Sequence, residues 1–249
     1  MKKKILAISL IVALVAIAVV GGSLAWFTDE DSATNTFVFG EIDIFQHEHE
    51  HDDAGNIQDF TQDQTLLPLV NLDANGDVDL DDPTIDANDG NYVEKLVSVE
   101  NLGKNDAYVR TFIAVPASIK DIVVLDVAAD DTAAWTKDNK NYGNVTVDGI
   151  EYAIVSFTYN TAMAKGDVTP YVLKGVYLKP EVDAQVDPAD NVKKFCTVDA
   201  TTGAYVFYDY DITAPVNVLV VTQGCQTAGF TGTAAETLDT VFPNVPAFN

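Results

Sequence analysis

The sequence predicts an all-β protein: a jelly-roll-like β-sandwich with a long acidic loop excursion and one short carboxyl-terminal helix. Many short runs rich in Val, Ile, Tyr and Phe alternate apolar with polar residues, as half-buried strands do. Asp, Asn, Gly and Pro separate these runs at turn spacing, and a 3.6-residue apolar period occurs only near the end. A chain of 249 residues has material for one sizeable core.

Taken in order, the chain opens with a secretory leader. Lys2, Lys3 and Lys4 precede Ile5 to Val20, which is apolar except for Ser9, and Gly21-Gly22-Ser23-Leu24-Ala25 ends the run with small residues where a peptidase needs extended chain. Cleavage by signal peptidase between Ala25 and Trp26 is expected, leaving residues 1–25 as the leader and no stable membrane anchor on the mature chain. The alternative is an uncleaved span, because Ile5 to Phe27 is 23 residues long, enough to cross a bilayer. Residues 26–39 follow as an extended segment in which Trp26, Phe27, Phe37 and Phe39 flank the polar run Thr28 to Thr36. The apolar alternation on 37 and 39 restarts on 42 and 44, a phase slip that suggests a bulge at Gly40. Residues 46–91, rich in Asp, Asn, Gln and Gly, read as a solvated excursion from a domain covering 40–249.

The strand signal returns at Tyr92, with Val97 and Val99 alternating up to a turn at Asn101 to Asn105. Ala107 to Val115 is apolar on both faces apart from Arg110 and Thr111, so it should be central and covered, with Arg110 a buried or edge-paired charge. Ile122 to Leu125 comes next. Asn144 to Val147 and Ile150 to Tyr159 flank Asp148-Gly149, which supplies the positive φ angles of a type I′ hairpin. Tyr171 to Leu178, Tyr205 to Tyr210 and Val216 to Thr222 complete the strands, with Tyr205, Tyr208 and Tyr210 on sheet faces. Thr233 and Glu236 make a capping-box pattern ahead of a helical face of Ala234, Ala235, Leu238, Val241 and Phe242, which Pro243 stops.

Three motifs stand in order: Gly22-Ser23-Leu24-Ala25-Trp26-Phe27-Thr28-Asp29 with Asn35-Thr36-Phe37 and Gly40-Glu41-Ile42-Asp43-Ile44; Asn105-Asp106-Ala107-Tyr108-Val109-Arg110; and Gln226-Thr227-Ala228-Gly229-Phe230 before the terminal helix. Together they resemble the TasA/camelysin family of secreted biofilm-matrix fibre proteins, which use a dedicated signal peptidase in Gram-positive bacteria. The resemblance spreads over most of the chain except the acidic stretch 46–91. It implies the same sandwich, fibres joined through amino-terminal segments, and, through the camelysin relatives, a metallopeptidase class.

Charge bounds the partners independently. The formal net charge is −24, and removing the leader takes three of the 14 basic residues and no acid, so 38 acidic residues then face 11 basic ones. Such a surface repels nucleic acid and anionic headgroups, and it favours solubility and cation binding. Cys196 and Cys225 are the only cysteines, an even pair in an exported chain that forms either one disulfide or two separate buried thiols.

Two motifs carry metal chemistry. His47-Glu48-His49-Glu50-His51 holds every histidine in the chain and matches H-E-x-x-H, which needs a helix to place both histidines on one face. Here it follows a strand without an apolar helical face, so weak transition-metal binding by His47, His49 and His51, or plain solvation, is the expectation. Asn71 to Asp82 matches an EF-hand loop, with Asn71, Asp73, Asn75, Asp77, Asp79 and Asp82 as oxygen donors and Gly76 at the sharp turn. Asn at the first place, Asp at the twelfth and the lack of flanking helices depart from that pattern. Calcium would be a structural ligand; no cofactor is required. No G-x-S-x-G elbow, phosphate loop or histidine-paired nucleophile occurs.

The leading functional expectation is a secreted structural protein, not an enzyme, that polymerises head-to-tail by donating Trp26 to Phe39 as a strand to a neighbouring copy, with other matrix proteins as further partners. The alternative is a cation-dependent, camelysin-like metallopeptidase.

Overall fold

The computed structural model describes residues 28–31 as backbone, and 42–52, 54–61, 92–127, 134–212 and 216–248 in full. The leader, Ala25, Trp26, Phe27, Phe37, Phe39, the Gly40 bulge and the whole Asn71 to Asp82 loop lie outside the described residues. In chain order the elements are β1 (Thr28–Asp31), β2 (Ile44–His51), β3 (Ile57–Asp59), β4 (Tyr92–Asn101), β5 (Ala107–Pro116), β6 (Val123–Val127), β7 (Trp135–Lys137), β8 (Asn144–Val147), β9 (Ile150–Tyr159), β10 (Leu173–Leu178), β11 (Asp183–Val186), β12 (Lys193–Val198), β13 (Tyr205–Asp211), β14 (Leu219–Gln226) and α1 (Ala234–Val241).

Two antiparallel sheets form the sandwich. One has the order β1-β14-β5-β9-β7, with β8 also beside β9; the other runs β3-β2-β4-β10-β6. The chain crosses from one sheet to the other at β1 to β2, β4 to β5, β5 to β6, β6 to β7 and β9 to β10. Between them lies a core in which Ile44, Val97, Val99, Leu173 and Val176 of the second sheet meet Val109, Ile113, Val115 and Phe157 of the first. The sheets approach closely where Gly224 faces Ile44: a Cβ added at Gly224 would lie 2.5 Å from the Ile44 side chain.

β5 is the central strand its two-sided apolarity demands. It pairs with β14 on one side and β9 on the other, Val109, Ile113 and Val115 facing inward. Phe112 and Ala114 face outward, under Tyr152, Val221 and Phe248. The Asp148-Gly149 turn has φ values of 49° and 83°, and it sets Val147 opposite Ile150 as the hairpin requires. α1 is capped by Thr233, whose hydroxyl accepts from the Glu236 N–H while the Glu236 carboxylate accepts from the Thr233 N–H. Leu238 and Phe242 pack the helix onto the outer face of the first sheet with Cys225.

The structure departs from the sequence reading at 46–91. Instead of leaving the sandwich at Gln46, the chain continues as β2 to His51, turns, and returns as β3. Composition hides this strand because beyond Phe45 both of its faces are polar. Pairing with β4, from Ile44 opposite Asn101 to His49 opposite Leu96, supplies the order that apolar alternation does not signal. β7 and β11 are short and charged, so they are missed in the same way. β11, β12 and β13 form a third sheet, attached to the core through Phe195 and Tyr210. Tyr210 is buried on its sheet, while Tyr205 stays half exposed.

Candidate functional site

β2 holds the loudest motif and decides its geometry. Strand alternation puts His47, His49 and His51 on the outward face and Gln46, Glu48 and Glu50 on the inward one. His47 and His51 are then about 13 Å apart along the strand, and Glu48 lies on the opposite face from both. A zinc-protease H-E-x-x-H brings both imidazoles and the glutamate to one ion, so these residues do not fit that role.

Each histidine instead meets a carboxylate of a flanking strand. His47 Nε2 is 2.9 Å from Glu100 Oε2, His51 Nδ1 is 2.9 Å from Glu94 Oε1, and His49 Nε2 is 3.8 Å from Asp59 Oδ1. The His51 backbone N–H also donates to Glu94 at 2.6 Å. On the inward face Glu48 pairs with Lys95, whose ammonium sits 4.3 Å from the Phe60 ring centroid, and Glu50 accepts from Thr61 and Gln58. Gln46 reaches across the sandwich. Its amide nitrogen donates to the Val220 carbonyl, and its oxygen accepts from Thr222 Oγ1, which stands 2.9 Å from Thr111 Oγ1.

That crossing lies next to the sheet edge where the amino-terminal segment sits. β1 pairs antiparallel with β14, Thr28 opposite Cys225, Asp29 opposite Gly224, Glu30 opposite Gln223 and Asp31 opposite Thr222. The segment expected to complete a neighbour's sheet therefore pairs, in the single chain, with its own. The four residues occupy half of the eight-residue β14 edge.

The cysteines are free and belong to different sheets, Cys196 to β12 and Cys225 to β14, so the possible bridge is not formed. Burial beneath α1 pushes the Cys225 thiol up to about 12, with Arg110 pulling weakly the other way, and burial also raises Cys196. Both pack as small hydrophobes of the interior.

Arg110, 1% exposed, is the feature whose role the sequence least revealed. Its Nε lies 2.9 Å from Asp138 Oδ2 and 3.0 Å from Thr158 Oγ1; one terminal nitrogen donates to Asp239 Oδ1 at 2.8 Å and the other to the Ala235 carbonyl at 3.3 Å. Thr158 and Ser156 both donate to Asp138. Burial alone pushes the Asp239 carboxyl up, but hydrogen bonds from Arg110 and Lys140 outweigh it and hold Asp239 below the usual carboxylate range. Arg110 thus clamps α1 to the sheet and is a structural charge. A groove of about 440 Å³ lies between the free side of β6 and β9, lined by Val115, Leu125, Val127, Val155 and Phe157 with Lys120 and Lys137. None of the sequence-predicted site residues lines it.

Comparison with protein families identifies the chain. The model of the camelysin metallo-endopeptidase family matches residues 1–165, two thirds of the sequence. The chain belongs to the TasA/camelysin family. Neither a curated protein nor a solved structure gives a significant match. The camelysin match covers residues 1–25, where a leader is expected, and β1 to β9, including the histidine strand and the central strand β5. The camelysin family is extracellular or cell-surface associated. Among the described residues no helix is long and apolar enough to cross a membrane.

Proposed function

We propose that this camelysin-family protein is exported, cleaved between Ala25 and Trp26, and assembled head-to-tail into extracellular matrix fibres by exchange of its amino-terminal strand. The observation that carries the reading is the pairing of Thr28–Asp31 with Thr222–Cys225 at the outer edge of the first sheet. These main-chain bonds are indifferent to which copy supplies the strand, so a neighbour's 28–31 satisfies the same edge as the chain's own. Donor and acceptor surfaces differ, so the exchanged contact repeats without closing and yields filaments. Trp26, Phe27, Phe37 and Phe39 flank the paired residues and supply the apolar side chains that a short strand needs for register. Calcium at Asn71 to Asp82 would be a structural ligand of the subunit.

Thr28 stands opposite the free thiol of Cys225, which allows exchange to be read directly. Thr28→Cys in the processed chain, oxidised after assembly, is expected to give a covalent ladder of subunits in denaturing electrophoresis. Oxidised before assembly, it should tether β1 to its own chain and stop growth. Deleting residues 26–36 should leave a folded monomer by light scattering, capped by a synthetic Trp26 to Phe39 peptide. Filaments of wild-type length and stability from the truncated protein would overturn the mechanism.

The family's description as a metallo-endopeptidase favours a second reading, a cation-dependent peptidase. His47, Glu48 and His51 do not supply its metal site on β2. Loss of peptide cleavage on substituting these three with Ala, with the fold intact, would restore that reading.

A further inference from the structure

Strand exchange leaves the third sheet unexplained, and that sheet lies beyond residues 1–165 of the family match. Among the described residues, five of the nine exposed large apolar side chains fall between Val186 and Val206. Phe195 and Tyr210 root the sheet in the core, and a register shift between Lys194 and Cys196 separates that root from the far end of the β12–β13 hairpin. At that end Val198 and Tyr205 stand opposite each other on one face, 55% and 51% exposed, while Val206 is 47% exposed on the other. With apolar side chains open on both faces, the end of the hairpin projects from the sandwich instead of lying on it.

The outer edge of the hairpin is open as well. Among the described strands β13 pairs with β12 alone. The Asp199 N–H donates to the Ala204 carbonyl, so alternation along β13 turns the N–H and C=O groups of Tyr205 and Phe207 away from β12. Tyr205 to Tyr208 carries no charge and no proline to guard that edge. The Tyr205 and Phe207 rings stand 6.1 Å apart on one face.

We propose that Tyr205 to Phe207 of β13 pair antiparallel with the same residues of a second copy, about a two-fold axis at Val206. That register sets Tyr205 opposite Phe207 of the second copy, so outward N–H and C=O groups meet, and it sets Val206 opposite its own equivalent. A second copy fits this edge because the exposed apolar residues then cover one another. Asp209 and Asp211 fall outside the paired stretch, so no carboxylate faces its like, which matters in a chain of net charge −24. The contact is isologous and closes after two copies. It therefore joins filaments side by side where strand exchange extends them, and it needs no exchange to form.

Cysteine pairing reads the register directly. Opposed residues that share no hydrogen bonds stand about 4.5 Å apart at Cα, within disulfide reach. Val206→Cys in the full processed chain, oxidised with glutathione disulfide, is expected to give a covalent dimer and no ladder in denaturing electrophoresis. Its yield should be at least tenfold above that of Val198→Cys, which is as exposed but one strand in from the edge. Because the acidic copies repel, the yield should rise several-fold from low to high salt. Tyr205→Pro removes an outward N–H without costing β12 a bond, and added to Val206→Cys it should cut the yield about tenfold. Far-UV circular dichroism establishes that each variant is folded. No dimer from Val206→Cys, equal yields from the two cysteine variants, or a yield that falls with salt would overturn the proposal. A Val206→Cys dimer in a chain that forms no filaments would uphold this contact while strand exchange failed; filaments without the dimer would do the reverse.

Discussion

Two strands of this molecule carry ionisable side chains on the outward face of a sheet, and the fold treats them in opposite ways. On β5, Arg110 lies under α1 with two carboxylates, one threonine hydroxyl and a carbonyl arranged around it. On β2, the histidine side chains are 22–42% exposed and each meets a single carboxylate. The strand pattern is the same; what differs is the layer above. A covering helix removes water, so every donor of the guanidinium must find protein, whereas an open face leaves water to complete the set. The covered charge becomes part of the architecture, whereas the partly exposed imidazoles keep water among their partners.

Removing Arg110 should break this contrast most severely. Arg110→Ala leaves Asp138, with 10% side-chain exposure, as an uncompensated buried charge and unpins α1; a loss of about 3–5 kcal/mol in urea unfolding is expected. His51→Asn, by the same measurement, should stay within about 0.5 kcal/mol. Comparable losses in the two variants would show that the helix does not determine the difference.

A smaller effect is expected where the open sheet is locally closed. The Tyr92 ring lies over Gly175, and its hydroxyl donates to Asp126 at 2.7 Å. A Cβ at Gly175 would fall 2.2 Å from the ring. Gly175→Ala must therefore displace Tyr92 and its hydrogen bond, at a cost of about 1–3 kcal/mol. Tyr92→Leu in the same background should recover part of it. An unchanged midpoint in Gly175→Ala would mean that the outward face of this sheet is open there too.

The two strands also show what the sequence can reveal. β5 was legible because apolar residues on both faces leave a strand no choice but the centre, and α1 because its capping box and single apolar face are local signals. The Asp-Gly hairpin is equally local. β2 was hidden: only Ile44 joins the core, and its remaining order comes from β4, a partner more than forty residues away in sequence. Arg110 was visible as a lone charge, but its ligands come from residues 138, 158 and 239, which no spacing rule links. The pairing of β1 with β14 joins residues nearly two hundred positions apart, and only the fold brings those edges together.

The finest test of the contrast uses acid. Asp239 sits at the rim of the Arg110 cluster with its side chain 46% exposed, between the buried charge and water. Its folded carboxyl is held below the usual range, so it contributes stability above the unfolded value of about 3.9, and that contribution fades as pH falls through the folded value. Solvent screening limits it to less than about 1 kcal/mol. Hydrogen exchange of the α1 amides should accordingly gain protection from Asp239 near neutrality and lose it in acid, once the expected pH dependence of intrinsic exchange is removed. In Asp239→Asn the protection should be lower at neutral pH and nearly flat across the acid limb. If the variant keeps the wild-type acid response, the helix is held by Leu238 and Phe242 packing alone, and the covered charge on β5 serves the sheet and not the helix.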